Sequence, residues 1–248
     1  MHAFSSMTAC LLLACAAAHA QVPESGRAQE LLFSAEEVDA SMEDRYIDRT
    51  VDLAAAGKLD EDRRLLARLR YISTELIRVA VQLKPEAAQW QWKLHTTSDP
   101  EVEAICMAGG KMLVGSAFVR RLELSDGELA MLLAHEVAHA LAEHHRETFS
   151  EALLLNRHPA VPLEVVMARL DSDLSLQIRL SRLSSLQESE ADQLGMILAY
   201  RAGWAATDIV SFYRKLSSDE QVALISSAYP ASASRLSMAQ GMARLFDD

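Results

Sequence analysis

The chain has 248 residues, half of them hydrophobic, and a formal net charge of −11 at neutral pH. This length fits one large domain or two small ones, with enough apolar residues to bury a sizeable core. The acidic balance argues against nucleic acid or an anionic lipid surface as the main partner. Few glycines and prolines among many alanines and leucines favour helical structure.

The first twenty residues have the composition of an export signal. Residues 7–18 form a short apolar stretch, and Ala18-His19-Ala20 fits the small-residue pattern of a signal-peptide cleavage site. An alternative is a lipoprotein signal, because the residues leading to Cys15 resemble a lipobox. We therefore expect residues 1–20 to be a signal peptide and the protein to be periplasmic, or else anchored to the cell envelope through Cys15.

The remaining residues predict a chain without a membrane span or a disulfide. No apolar run after residue 20 approaches the length that is needed to cross a bilayer. Cleavage after Ala20 leaves Cys106 as the only cysteine, which excludes an intramolecular disulfide. The apolar neighbours of Cys106 predict a buried small side chain rather than a nucleophile.

The first half of the chain predicts two helices followed by a small sheet. Ser34 and Glu37 have the spacing of a capping box, and apolar residues then recur at three- and four-residue intervals. Alternating and short apolar runs follow, two of which are joined through Gly109 and Gly110, and we expect the resulting strands to pair antiparallel. The predicted helices cover residues 34–56 and 60–84, and the predicted strands cover 89–95, 102–107 and 112–114.

The second half predicts helices only. Ser125 and Glu128 form another capping box, which starts a helix that carries the main motif of the chain. Prolines predict a loop at residues 148–162. The predicted helices cover residues 125–147, 163–202 with a break near 172–175, 207–216, 219–227 and 233–246. We expect one α+β domain over residues 21–248, predominantly helical, with N-terminal helices at about 34–84 and a core at about 85–248.

The motif His135-Glu136-Val137-Ala138-His139 predicts a metal site. On a helix, His135 and His139 lie on one face and can ligate one ion, and Glu136 lies beside that ion as a base. Burying two imidazoles and a carboxylate on an apolar helix is costly unless they have a partner, which favours the metal interpretation. A di-iron carboxylate site is an alternative for Glu136 and His139, but it needs a second Glu-x-x-His pair, which the sequence lacks.

Zinc in a hydrolase takes three protein ligands and keeps a fourth position for water. Glu188 and Asp192 share a helix face, so that Glu188 can ligate the ion while Asp192 accepts a hydrogen bond from a ligating imidazole. Glu190, two residues from each, is expected to face solvent. His144 is predicted to lie off the face of His139. The other candidates for the third ligand are the remaining histidines His95, His144, His145 and His158.

These two motifs resemble those of the gluzincin metallopeptidases of the CAAX prenyl endopeptidase family, of the HtpX and BepA types, over roughly residues 60–240. Ala104 to Gly110 resembles the strand and turn that precede the metal helix in that family. The resemblance implies a zincin-like metallopeptidase domain with one Zn²⁺ per chain and a small antiparallel sheet packed on the helix of the metal motif. By position it implies the ligands His135, His139 and Glu188, the base Glu136 and the supporting carboxylate Asp192.

Three positions depart from the family pattern, at Glu103, Ala108 and Tyr229. Tyr229 is a candidate donor to the oxyanion or else a core aromatic residue, and Arg235 is a candidate for binding a substrate carbonyl or for pairing with an acid of the fold. A strand near Met112 is expected to be a sheet edge to which a peptide adds, with main-chain hydrogen bonds. The candidate substrate-binding residues are Gly109, Gly110, Met112 and Arg235.

The sequence thus predicts a zinc-dependent endopeptidase of the bacterial envelope that hydrolyses misfolded or misassembled proteins through a metal-activated water. Its expected partners are protein or peptide substrates, with outer-membrane association as a further expectation and no nucleic acid. The altered positions Glu103 and Tyr229 motivate an alternative, an envelope chaperone or assembly factor with a retained zinc site and little proteolysis.

Overall fold

A computed structural model describes residues 18–156, 161–219 and 231–247. Most of these residues are helical, which confirms the predicted class. Residues 1–17 of the expected signal and 220–227 of the predicted helix lie outside the described residues. The helices of the described ranges are α1 (Ala35–Ala55), α2 (Arg63–Leu83), α3 (Ser116–Arg121), α4 (Asp126–Leu141), α5 (His144–Leu154), α6 (Leu163–Ser172), α7 (Leu174–Arg201), α8 (Ala206–Ser218) and α9 (Ser232–Asp247).

The strands form two small sheets. Two short strands near the start of the described chain pair antiparallel, and we call them the N-terminal hairpin (residues 18–31). A second sheet has three strands. The strands are β1 (Ala18–Gln21), β2 (Ala28–Leu31), β3 (Lys93–Thr97), β4 (Ala104–Met107) and β5 (Lys111–Gly115).

The three-stranded sheet is mixed rather than antiparallel. β4 and β5 pair antiparallel across a tight turn at Gly109 and Gly110, both of which have the positive φ that favours glycine. β5 then lies between β4 and β3, and it pairs parallel with β3. The expectation that the strand at Met112 is a sheet edge is therefore wrong, because β5 is the middle strand and β4 is the edge strand beside α4. A short 3-10 helix occupies Pro85–Gln89. The first strand of this sheet therefore begins at Lys93 rather than near residue 89.

Helix α4 is the centre of the core. Thirteen of its sixteen residues are buried, and a helix that is apolar on nearly every side is stable only when other elements surround it. Helices α2, α7 and α8 and strand β4 pack around it. The predicted capping box starts it, because the Ser125 hydroxyl accepts from the Glu128 N–H and the Glu128 carboxylate accepts from the Ser125 N–H at 2.8 Å.

The helix predicted over residues 125–147 is broken after Leu141. Glu143 has φ 54°, in the left-handed region that ends a helix, and a new helix begins at His144. His144 therefore begins a new helix, so the helical rotation used to place it does not apply, although it is not among the side chains that could share an ion. The loop predicted at 148–162 begins only after α5 ends at Leu154. The break predicted near 172–175 is confirmed, since Asp173 separates α6 from α7 and caps the latter.

Gly195 allows α7 to lie directly against α4. A β-carbon at this position would lie 2.9 Å from both the backbone nitrogen and the Cα of His135. These are backbone atoms at the middle of a buried helix, so they cannot move aside without shifting α4 itself. Gly195 thus permits the helix contact that brings the acids of α7 to the histidines of α4.

We expect Gly195→Ala to lower the free energy of unfolding by about 1–3 kcal/mol, because the added methyl group overpacks the helix contact. Zinc retention should fall as well, since the two helices carry the predicted ligands. The measurements are urea unfolding and the zinc content of the purified protein.

Gly241→Ala is the matched control. Gly241 also lies inside a helix, but nothing is within 4 Å of the position of its β-carbon. The change should raise the free energy of unfolding by up to about 1 kcal/mol through helix propensity. A Gly195→Ala protein with wild-type stability and zinc content would contradict the packing account.

Candidate metal centre

Three side chains from two helices converge at one point. Nε2 of His135 lies 3.2 Å from Nε2 of His139, and the Glu188 carboxylate lies 3.3 Å from the first and 3.4 Å from the second. The histidines lie on one face of α4, and Glu188 comes from α7. Among the described residues, this is the one group of three His, Cys, Asp or Glu side chains close enough to share an ion.

The spacing between the two imidazole nitrogens and the carboxylate oxygens of Glu188, Oε2 near His135 and Oε1 near His139, fits a tetrahedral zinc ion. Zinc–ligand bonds of about 2.0–2.2 Å at tetrahedral angles place neighbouring ligand atoms about 3.3 Å apart. Oε2 of Glu188 is also buried without a hydrogen-bond partner in the described part of the chain, which is a costly state for a carboxylate oxygen unless a cation binds it. The three residues therefore fit one zinc ion with a fourth position left for water.

The electrostatics of the site also favour a cation. Burial lowers the pKa of His139. Burial opposes ionisation of Glu188, but contacts with both histidines hold the pKa of its carboxyl far below the usual range. Burial likewise disfavours a charged His135, yet the Asp192 and Glu188 carboxylates raise its pKa to about 10. A positive charge is thus strongly stabilised at this point, and a metal cation would take the place of the His135 proton.

A buried carboxylate contacts the ring nitrogen of His135 that faces away from the metal position. Nδ1 of His135 lies 3.0 Å from Oδ1 of Asp192, whose side chain is fully buried. Asp192 accepts two hydrogen bonds from Arg235, at 2.6 and 2.7 Å, and a third from the Tyr213 hydroxyl at 2.8 Å. These bonds fix Asp192, and Asp192 in turn fixes the ring of His135 with Nε2 facing the metal position.

His139 has a second, separate support. Its Nδ1 lies 2.9 Å from Nδ1 of His144, and Nε2 of His144 lies 3.3 Å from the Glu190 carboxylate. Both supporting residues are buried. The expectation of a solvated Glu190 is therefore wrong, because Arg27 of the N-terminal hairpin covers that face of α7 and donates to Glu190 at 2.6 Å.

Glu136 lies beside the three ligands in the same cavity. Its Oε2 accepts a hydrogen bond from the backbone N–H of Cys106 in β4, at 3.0 Å. Burial raises the pKa of Glu136 to about 7. A carboxylate with this pKa exchanges protons readily near neutral pH, which is the property that a general base needs. The Cys106 thiol is buried, as its apolar neighbours predict.

The metal position lies in a cavity that has wall residues in common with two other cavities. The central cavity, of about 290 Å³, is lined by the metal-site residues and by Ala104 to Cys106 of β4. A cavity of about 270 Å³ shares His139 and His145 with it and reaches Trp90 and Gly109. A third, of about 440 Å³, shares Thr148 and Ser184 with the central one and lies along α6 and α7.

The remaining candidates are placed as follows. Gly109 lines the 270 Å³ cavity, whereas Met112 is buried in the middle strand. Nε and Nη2 of Arg235 both donate to Asp192, which favours the role of a partner for an acid over that of a substrate-binding residue. Tyr229 and His158 lie outside the described residues. His95 pairs with Asp60, away from the metal position.

Comparison with known proteins agrees with this geometry. Residues 66–243 match the profile of Peptidase family M48. The chain belongs to this family. It is 27% identical to human mitochondrial metalloendopeptidase OMA1 over 192 residues, which are 73% of this chain and 36% of that protein. It is 30% identical to the OMA1 of Arabidopsis thaliana over 125 residues, 50% of this chain and 26% of that protein.

A third similar protein is the OMA1 of Saccharomyces cerevisiae, 29% identical over 134 residues that make up 39% of its length. The matches thus span about a quarter to two fifths of these relatives. The metallopeptidase family implied by the two motifs is confirmed, while the HtpX or BepA type stays a prediction. No helix among the described residues of this M48 chain is both long and apolar enough to cross a membrane.

Four residues of the centre were not found by sequence reasoning. Gly195 had a readable signal, because an isolated glycine inside a helix often marks a close approach. Tyr213, Arg27 and the supporting role of His144 had none, since each depends on contacts between distant parts of the chain.

We expect Arg235→Ala to lower the free energy of unfolding by about 3–5 kcal/mol, because it removes a paired cation from the buried Asp192 carboxylate. Denaturant unfolding of the metal-free protein measures this effect. The control is Arg244→Ala on the same helix, an exposed side chain that bonds only within its own turn among the described contacts, for which a change within about 0.5 kcal/mol is expected. Equal stability of the two variants would contradict the assignment of Arg235.

Proposed function

We propose that this M48 family protein is a zinc-dependent endopeptidase that hydrolyses peptide bonds in proteins. The observation that carries the proposal is the convergence of His135, His139 and Glu188 at zinc spacing, with Glu136 in the same cavity. A zinc ion held there would supply a Lewis acid for the scissile carbonyl and a water of lowered pKa.

Glu136 is the residue that moves protons in this proposal. It takes a proton from the attacking water and later delivers it to the leaving amine. Its hydrogen bond from the Cys106 N–H holds the carboxylate against β4. Burial raises the pKa of Glu136 in the metal-free site, which favours return of the proton, and the charge of a bound zinc would favour the carboxylate that accepts it.

The shape of the cleft supports internal cleavage rather than trimming of chain ends. The central cavity shares walls with a further cavity through His139 and His145, and with another through Thr148 and Ser184. We infer that a peptide bound at the metal position continues into both neighbouring cavities, with chain on either side of the scissile bond. Charge-neutral, partly apolar walls along α6 and α7 suit peptide segments of mixed composition.

Strand β4 offers the peptide a backbone to pair with. The Glu103 carbonyl oxygen accepts a hydrogen bond from the Gly115 N–H, next to β5. Because the backbone groups of successive residues in a strand point to opposite sides, those of Ala104 point away from β5. The Cys106 N–H, which also faces away from β5, points to Glu136. We infer that a substrate strand adds to β4 beside Glu136, with main-chain hydrogen bonds supplying affinity.

We further propose that the protein acts in the bacterial cell envelope, on misfolded or misassembled proteins. The leader-like composition of residues 1–20 supports export. The OMA1 relatives are named as mitochondrial proteins. Cleavage of unfolded in preference to folded test proteins would support the quality-control role.

We expect Glu136→Gln to lower peptide cleavage at least about 100-fold, because general base catalysis contributes about 10²–10⁴ to the rate. The variant should keep one zinc per chain, since Glu136 is not among the converging ligands. The measurements are fluorogenic peptide hydrolysis and metal analysis. Glu75→Gln, an exposed residue paired with Arg78, serves as the control and should cleave at the wild-type rate. Unchanged cleavage by Glu136→Gln would remove Glu136 from the mechanism.

Removing the metal with a chelator should abolish cleavage, and adding one equivalent of Zn²⁺ should restore it. Bound zinc should also raise the melting temperature, because a ligand that binds only the folded state stabilises it. Cleavage that persists in the metal-free protein would overturn the proposal. Suppression of aggregation by the metal-free protein, without cleavage by the zinc-loaded one, would instead favour a chaperone or assembly role.

A further inference from the structure

The N-terminal hairpin contacts the support of the metal site. The Arg27 side chain, just before β2, is three-quarters buried and forms salt bridges with two carboxylates, those of Glu147 and Glu190. It donates to both oxygens of Glu147, at 2.6 and 2.8 Å, and to both oxygens of Glu190, at 2.6 and 2.9 Å. Paired bonds of this kind fix a carboxylate in direction as well as in position.

The rest of the hairpin holds Arg27 in place. Gln29 is buried and donates to the Glu147 carboxylate and to the carbonyl oxygen of Ala142, each at 2.9 Å. Gln187 of α7 also donates to Glu147 at 2.9 Å. The hairpin is thus attached at three places: to the break between α4 and α5 at Ala142, to α5 at Glu147 and to α7 at Glu190.

A directed chain of hydrogen bonds leads from Arg27 to the metal position. With a metal ion on Nε2 of His139, its Nδ1 would carry the proton and donate to Nδ1 of His144, which lies 2.9 Å away. The other nitrogen of His144 then carries a proton and points to Oε2 of Glu190. Arg27 donates to this same oxygen at 2.9 Å. Each donor in the chain has an acceptor, and Arg27 ends it.

We propose that Arg27 is a positioning residue of the metal centre, which orients His139 through Glu190 and His144. It does for His139 what Arg235 does for His135 through Asp192. Without Arg27, the neighbouring carboxylates of Glu147 and Glu190 would lose the guanidinium that both of them bind. Their repulsion would displace Glu190, and His144 would lose the acceptor that fixes its ring.

This role belongs to a part of the chain that the family match does not include. The match begins at residue 66, whereas Arg27 and Gln29 lie in the hairpin. The inference rests on the metal site of the proposed function, but it concerns a different property, namely how firmly the ion is held.

The test measures zinc affinity by competition with a chromophoric chelator, in the full-length protein. We expect Arg27→Ala to weaken zinc binding at least about tenfold, within the range usual for residues that support a ligand. Arg27→Lys should lose less, because it keeps the charge but not the paired bonds. Arg201→Ala is the matched control, since Arg201 binds Glu24 in the same N-terminal segment, at 2.8 Å, on an exposed surface, and it should stay within about twofold of wild type.

A double-variant cycle separates positioning from general stability. If Arg27 acts through His144, adding Arg27→Ala to a His144→Ala protein should change zinc affinity by less than about twofold. Effects that multiply in the double variant, or an Arg27→Ala protein with wild-type affinity, would overturn the proposal. If Arg27→Ala does not fold, Glu190→Gln gives the same test and should also weaken zinc binding. A wild-type protein that binds no zinc would instead overturn the proposed function itself.

Discussion

The contact between α4 and α7 at Gly195 is the constraint on which the metal centre depends. Only a hydrogen atom fits between Gly195 and the backbone of His135. This close approach of the two helices brings the Glu188 carboxylate within 3.4 Å of both imidazoles. The same contact brings Asp192 to His135 and Glu190 to His144. A buried helix with apolar residues on nearly every side supplies the rigid wall. The ligands are thus positioned by helix packing rather than by flexible loops, which suits a site that must keep a fixed shape.

The two imidazoles of the candidate metal site are each supported by a different part of the chain. His135 rests on Asp192, which Arg235 of α9 holds. His139 rests on His144 and Glu190, which Arg27 of the N-terminal hairpin holds. In each case a guanidinium binds the last carboxylate in a series of hydrogen-bonded buried groups. Without it, that carboxylate would carry an unpaired buried charge. The C-terminal helix and the N-terminal hairpin, far apart in sequence, therefore both contribute to the orientation of residues in the central helix.

Structural features that depend on neighbouring residues in the sequence could be predicted from it. Features that depend on contacts between distant residues could not. The start of α4 after Ser125 and the break at Asp173 follow from capping residues, and the metal motif follows from helical spacing. The parallel pairing of β3 with β5 could not be predicted, because alternation shows that a segment is a strand but not which neighbour it joins. The left-handed turn at Glu143 has no glycine or proline to mark it. The burial of Glu190 depends on the hairpin, more than 150 residues away.

The most direct test of this account is anomalous X-ray scattering at the zinc edge from crystals of the purified protein. The account predicts one zinc ion per chain, about 2.0–2.2 Å from Nε2 of His135, Nε2 of His139 and an oxygen of Glu188. An ion bound by other residues, or crystals grown with zinc that show no anomalous peak between these side chains, would contradict it.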